Sequence, residues 1–183
     1  MMYTIPELNK NTAVCFFAPK NNVDLTGSYI SPHWHSMYKT IGRLISNFSK
    51  HGYSDFITDG NFGFTKFVAS LTQFNIDRKH HIVLNKRPKL STAAFYDFCK
   101  AKTVTDISQL HTEDKVPTCT KYQQEANTIS LENSSVSVVV WKHHLDFDKY
   151  NNYLANMIKR SLELNHPVVL LDPVTYEVKT LQP

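Results

Sequence analysis

Glycine is scarce in this chain, with five in 183 residues and no two of them adjacent. A loop that must let phosphate approach the backbone, or turn at positive φ, draws on glycine first, so an extended glycine-rich anion cradle is not expected. Cysteine is scarce too. Cys15, Cys99 and Cys119 are odd in number and widely spaced, which excludes a disulfide framework and a paired-cysteine zinc site and points to a reducing compartment. No run of about 18 apolar residues occurs, so no membrane span is expected. The opening Met1-Met2-Tyr3-Thr4-Ile5-Pro6-Glu7 lacks a basic stretch followed by an apolar one, so no secretion signal is expected either. The expected location is cytoplasmic. Repeats, low-complexity blocks and a composition break that would mark a linker are also missing, and residues 1–183 read as a single domain.

What is present suffices for a core: 42% hydrophobic residues, 12% of the chain aromatic, and 20% charged. The formal charge of +4 comes from dispersed lysines and arginines, densest at Lys86-Arg87-Pro88-Lys89 and Arg78-Lys79-His80-His81. A solvated loop face explains such groups better than a nucleic-acid surface, because dedicated binders carry a stronger basic bias.

Short β-branched or aromatic runs alternate with segments of helical period, the pattern of a parallel sheet covered by helices. Ala13–Ala18 reads as a buried strand. Ser31-Pro32 offers a cap and first-turn proline for a helix with Met37, Ile41, Leu44, Ile45 and Phe48 on one face, ended at Gly52. Asp55–Thr58 is a second strand, followed by a glycine turn and a helix with Phe64, Phe67, Val68 and Leu71 on one side. A third strand at His81–Leu84 leads to a helix near Ala93–Lys100 and a strand at Thr103–Ile107. Thr118 or Thr120 caps a helix carrying Tyr122, Ala126 and Ile129. Val136–Trp141 reads as a buried central strand. Positions 150, 153, 154, 157, 158, 161 and 162 then follow a strict helical stripe up to Asn165, and Pro167–Leu171 is a final parallel strand closed by Asp172-Pro173. The fold class this implies is α/β, three-layer and Rossmann-like, a mainly parallel sheet with helices on both faces.

Two stretches carry a family resemblance. Thr58-Asp59-Gly60-Asn61-Phe62-Gly63-Phe64-Thr65 follows a strand and opens a helix. The second runs from Lys121 through Asn127, the strand ending in Val140-Trp141, the long helix, and Asn165-His166-Pro167-Val168-Val169-Leu170-Leu171-Asp172-Pro173. In the order of these elements the chain resembles the SLOG superfamily and, within it, the YpsA-like branch, with Asn127, Trp141, Asn156, Pro167, Asp172 and Pro173 at matching positions. A fainter match lies at Ala18-Pro19-Lys20 and Gly27-Ser28-Tyr29. The resemblance implies non-catalytic binding of a nucleotide or nucleotide-derived small molecule, with no other cofactor.

Open α/β sheets bind ligands outside the carboxyl ends of their strands, where helix N-termini point amides at anions. The candidate ligand-binding residues are therefore Pro19 and Lys20 after the first strand, Asp59, Gly60, Asn61, Phe62, Gly63 and Phe64 after the second, and Trp141, Lys142, Tyr153 and Asn156 around the strand ending in tryptophan. Both loops depart from the family pattern. Asp59 places a carboxylate where the family has glycine, and like charges about 4 Å apart repel by about 1 kcal/mol even in water. The second loop has no glycine, and Tyr153 stands where phosphate would need bare amides; it could stack on a base or cover the pocket. The scaffold is expected to persist while the ligand site is rebuilt.

Other residues have plainer readings. His143-His144 with Asp146 and Asp148 lacks the helical i, i+4 spacing of a metal pair, so no metal is expected. His33 and His35 near a helix start read as packing or helix-end polarity, and Cys15 as a small core hydrophobe. Asp59 and Thr65 have no second carboxylate at a spacing suited to acid–base work, and the proline-glycine-glycine loop that the related Lonely Guy phosphoribohydrolases need is missing, so enzymatic activity is not expected. The alternative reading is a diverged interaction protein, from a phage or other mobile element, that inhibits a bacterial defence or host system by binding protein or nucleic acid. Candidate partners are thus a nucleotide-derived small molecule, a protein, and a second copy of the chain in a homodimer. Nucleic acid ranks lower: DNA binding like that of DNA-processing protein A, a further relative, rests on positive charge alone.

Overall fold

The computed structural model describes residues 3–19, 32–60, 62–73, 75–84, 100–107, 119–143 and 145–183. Seven strands form one sheet: β1 (Ala13–Phe17), β2 (Asp55–Thr58), β3 (Lys79–Leu84), β4 (Thr103–Asp106), β5 (Val136–Val140), β6 (Val168–Leu171) and β7 (Val178–Leu181). Their order is β4-β3-β2-β1-β5-β6-β7. All pairings are parallel except that of β7 on β6. Four helices are described: α1 (Pro32–Lys50), α2 (Phe62–Thr72), α3 (Cys119–Glu132) and α4 (Tyr153–Glu163). This is the expected three-layer Rossmann-like α/β architecture. The sequence-predicted helix near Ala93–Lys100 and the basic group Lys86–Lys89 lie outside the described residues, Lys100 apart.

The chain builds outward from β1 in one direction through β2, β3 and β4, then returns to lay β5, β6 and β7 on the other side. Because parallel crossovers are right-handed, that reversal puts the two sets of helices on opposite faces. Alternation along β1 and β5 feeds both. Val14, Phe16, Val138 and Val140 pack with Met37, Ile41 and Ile45 of α1 and Phe64, Phe67 and Val68 of α2. Cys15, Phe17, Val139 and Trp141 pack with Ala126 and Ile129 of α3 and Ala155 and Ile158 of α4. Strands buried on both faces explain why β1, β2, β5 and β6 read as continuous apolar or small-residue runs.

Helix ends follow local chemistry. Gly52 has φ +88, and its amide and that of Tyr53 donate back to the carbonyls of Ser49 and Phe48 at 3.1 and 3.0 Å, a Schellman end that needs a left-handed residue. Asn165, φ +61, plays the same part after α4, where the His166 amide donates to the Ser161 carbonyl at 2.9 Å. At the other end of α4, Asn152 Oδ1 accepts from the Ala155 amide. That cap starts the helix at Tyr153, three residues later than the stripe from Tyr150 suggested. Tyr150 instead follows a 3-10 turn, Phe147–Lys149, with its ring edge-on to Trp141 at 5.6 Å.

β7 escaped the sequence reading. It is an exposed edge strand, so it shows no apolar alternation, and it pairs antiparallel with β6 across a turn that Asp172 helps to build. Asp172 accepts from the amides of Val174 and Thr175 at 2.7 and 3.0 Å and from the His143 amide at 2.6 Å. Burial alone would raise its carboxyl pKa, but these amides outweigh burial and hold it below the usual carboxylate range.

Adjacent His80 and His81 in β3 lead into opposite faces and meet opposite chemistry. His81 Nε2 lies 3.0 Å from Asp55 Oδ1, with both side chains fully buried, and its Nδ1 is 2.8 Å from Thr103 Oγ1. His80 Nε2 has the Thr58 hydroxyl at 2.9 Å and, among the described residues, no carboxylate paired with it. Burial, followed by the nearby His81, pushes His80 down to about 3.

Candidate functional site

Chain direction changes between β1 and β5, and the crevice outside their carboxyl ends is where ligands of such sheets bind. Pro19 follows β1 and is half-buried; Asp59 and the buried Gly60 follow β2. Gly60 has φ +73, the left-handed turn expected of it, and lets the chain enter α2 directly. Phe62 and Gly63 are the first two residues of that helix. Lys20, Asn61 and the Phe62 side chain lie outside the described residues. Phe64 turns away from the crevice into the core of the α1–α2 face, 5.9 Å from the Phe16 ring, and Thr65 beside it is fully buried.

Two of the protein's own aromatics pack together at the crevice. Tyr153, the first residue of α4, stands edge-on to Phe17, the last residue of β1, with ring centroids 6.2 Å apart and planes at 84°. Its hydroxyl is buried, and burial, then the negative charge of Asp59, hold the phenol well above its usual pKa. The carboxylate that would repel a phosphate thus faces a phenol from the neighbouring loop. Trp141 is 5% exposed and donates from Nε1 to the Leu145 carbonyl at 2.9 Å, so it fastens the loop after β5. Lys142 points to solvent.

One helix layer away, a groove of about 640 Å³ runs between α3 and α4 and starts at the same carboxyl edge. Tyr153 and Asn156 line it, the two candidate residues that the structure brings to an open cavity. The rest of its lining was not singled out from the sequence as binding residues. Six of its twelve lining residues are carboxamides: Gln123, Gln124, Asn127, Asn151, Asn152 and Asn156. Gln123 donates to Asn127 Oδ1 at 3.0 Å, and Asn156 donates to Asn151 Oδ1 at 3.3 Å. Met157 adds apolar surface, and Lys159, Arg160 and Glu163 supply the charge. The signal that could have found the groove is the i, i+4 spacing of Gln123 with Asn127 and of Asn152 with Asn156, which puts each pair on one helix face.

The remaining polar candidates are structural where they are described. His33 Nδ1 is 2.5 Å from the Tyr176 hydroxyl, tying α1 to the β6–β7 turn, and His35 is exposed. His143 Nε2 accompanies the Leu170 carbonyl at 3.2 Å, while His144 lies outside the described residues. Among the described residues no group of three or more His, Cys, Asp or Glu side chains is placed to hold a metal ion. Cys15 is buried beside the Ser134 and Ser137 hydroxyls, and burial pushes its thiol up to about 11, which leaves it protonated and unreactive at neutral pH. No described helix is long and apolar enough to cross a membrane.

The chain matches no protein-family model and no curated protein sequence. Its likeness to the YpsA-like branch therefore rests on the quoted residues alone, and function has to be argued from the site.

Proposed function

We propose that the protein is a non-catalytic binder of a nucleotide-derived small molecule, and that its ligand sits in the α3–α4 groove rather than in the crevice between β1 and β5. The observation that carries this reading is the groove itself: about 640 Å³, within the usual range of roughly 300–1,000 Å³ for small-molecule sites, between two helices one layer out from the sheet. Its lining suits recognition more than chemistry. Half of its described lining residues are carboxamides, the one carboxylate among them, Glu163, is paired with Arg160 at 2.9 Å, and among the described residues neither a nucleophile with an adjacent base nor a pair of carboxylates lines it. A thermal-shift panel of nucleotides, cyclic nucleotides and ADP-ribose derivatives tests it. A ligand at about 100 times its Kd adds about 2.7 kcal/mol of stability, a rise of roughly 5–10 °C for a domain of this size. A flat panel removes the reading.

A second reading is favoured by the packing at the crevice. Tyr153 packs on Phe17 beside Asp59 at the carboxyl edge of the sheet, which fits a scaffold turned to protein binding as a diverged inhibitor of a host or defence system. Affinity capture from bacterial lysate that recovers no partner, together with no effect on restriction of phage or plasmid, counts against it.

A further inference from the structure

The groove carries little that would hold a polyphosphate. Among the described residues its charged side chains are Lys159, Arg160 and Glu163, a formal sum of +1, and both of these cations are already engaged. Arg160 pairs with Glu163, and Lys159 Nζ donates to the carbonyls of Asp148 and Tyr150 at 3.2 and 3.1 Å. The N-terminus of α4, whose amides could meet an anion, is closed by Asn152, which accepts the Ala155 amide at 2.9 Å. No glycine lines the groove to let a phosphate reach the backbone.

Carboxamides offer something different. Each presents a donor and an acceptor side by side, the complement of a heterocyclic base edge, as when Asn or Gln reads adenine through two hydrogen bonds. The internal bonds from Gln123 to Asn127 and from Asn156 to Asn151 hold amide planes in place. An amide group can make up to four hydrogen bonds, so one internal bond leaves capacity for a ligand. Met157, between the two helices, supplies a polarisable apolar surface for the flat face of a ring.

We infer that the groove selects its ligand by an uncharged hydrogen-bonding edge, that of the base of a nucleoside, and that any phosphate on the ligand contributes little to binding. This rests on the small-molecule reading above and narrows it. The groove then ranks nucleosides by base identity, and affinity is insensitive to ionic strength because few charges meet across the contact.

Calorimetric titration of the whole chain decides it, using adenosine, guanosine, cytidine and uridine beside their 5′-triphosphates, at about 50 mM and about 300 mM salt. At least one nucleoside is expected to bind, with its triphosphate within about threefold and the affinity unchanged between the two salts. Gln124→Ala and Asn156→Ala are each expected to weaken that nucleoside about tenfold, the loss of roughly one hydrogen bond, without lowering Tm. Triphosphates binding more than about tenfold tighter than nucleosides, with affinity falling at high salt, overturn this inference and leave the small-molecule reading standing. Nucleoside binding unchanged in both variants overturns the placement in the groove. Binding by neither class overturns both.

Discussion

Tyr153 has two sides, and the regions they face differ in kind. Inward, at the ends of β1 and β2, its ring meets Phe17 and its hydroxyl is buried near Asp59. Outward, it forms a wall of a groove in which half of the lining residues are amides, of which Gln124, Asn151, Asn152 and Asn156 are exposed. The Tyr153 hydroxyl on the inner side is packed into the protein, whereas Gln124, Asn151 and Asn156 on the outer side are open to solvent and contribute little to folding, unlike the buried Asn127 and the α4 cap Asn152. Groups that fold the chain and groups that are free to bind are thus separated by one side chain.

The most direct way to break this comparison is Tyr153→Ala. Removing a ring packed on Phe17 is expected to cost about 3 kcal/mol, a fall in Tm of roughly 6–12 °C for a domain of this size, measured by thermal unfolding. An unchanged Tm would show that this packing contributes nothing to folding. Tyr153→Phe, which keeps the ring, is expected to cost less than about 1 kcal/mol.

Buried and open polar groups also differ in how they respond to acid. His80 titrates near 3 in the folded chain and near 6.5 unfolded, so between these values the unfolded state binds more protons and stability falls as pH falls. The loss between pH 7.5 and 4.5 is expected to be about 3 kcal/mol, followed by urea unfolding across that range. His80→Gln is expected to flatten the slope. Asp55, held below its usual value because bonds from His81, Ser54 and Thr12 outweigh its burial, adds to the loss only below about pH 3.8, where the unfolded carboxyl takes up its proton.

Asp172→Ala sharpens the comparison at the far end of the same edge. It leaves three backbone amides without their acceptor, an expected cost of about 2 kcal/mol, with hydrogen exchange rising first in β7 and the loop after β5. The smallest effect belongs to the groove. Gln124→Ala and Asn156→Ala are both exposed changes, each expected to shift stability by less than about 0.5 kcal/mol as read from urea midpoints. A large destabilisation by either would mean that the groove is part of the core.

The strands and helices that the sequence made legible are those whose signal is local. The buried runs at β1, β2, β5 and β6, the α1 stripe from Met37 to Phe48, and the ends at Gly52 and Asn165 all fall within one or two residues of expectation. The site was legible only in part. Pro19, Asp59, Gly60, Trp141 and Tyr153 do gather around the carboxyl edge, yet Phe64 is spent on the core, Lys142 stands in solvent, and the groove that Tyr153 and Asn156 share lies one layer out. Local spacing shows that each set of amides shares one face of its own helix, but not that the two sets meet, because half of them come from α3 and half from α4 or the residues just before it.

By itself, then, the sequence determined the layered parallel sheet and the scarcity of glycine at its turns, since apolar periodicity, caps and glycine act over a few neighbouring residues. Only the tertiary structure decided that Tyr153 packs on Phe17 at the crevice, that His80 and His81 meet opposite partners, and that the open cavity lies between α3 and α4. Each of these depends on which elements the direction reversal at β1 and β5 brings side by side, and that contact spans more than a hundred residues of chain, from Cys15 to Ser137.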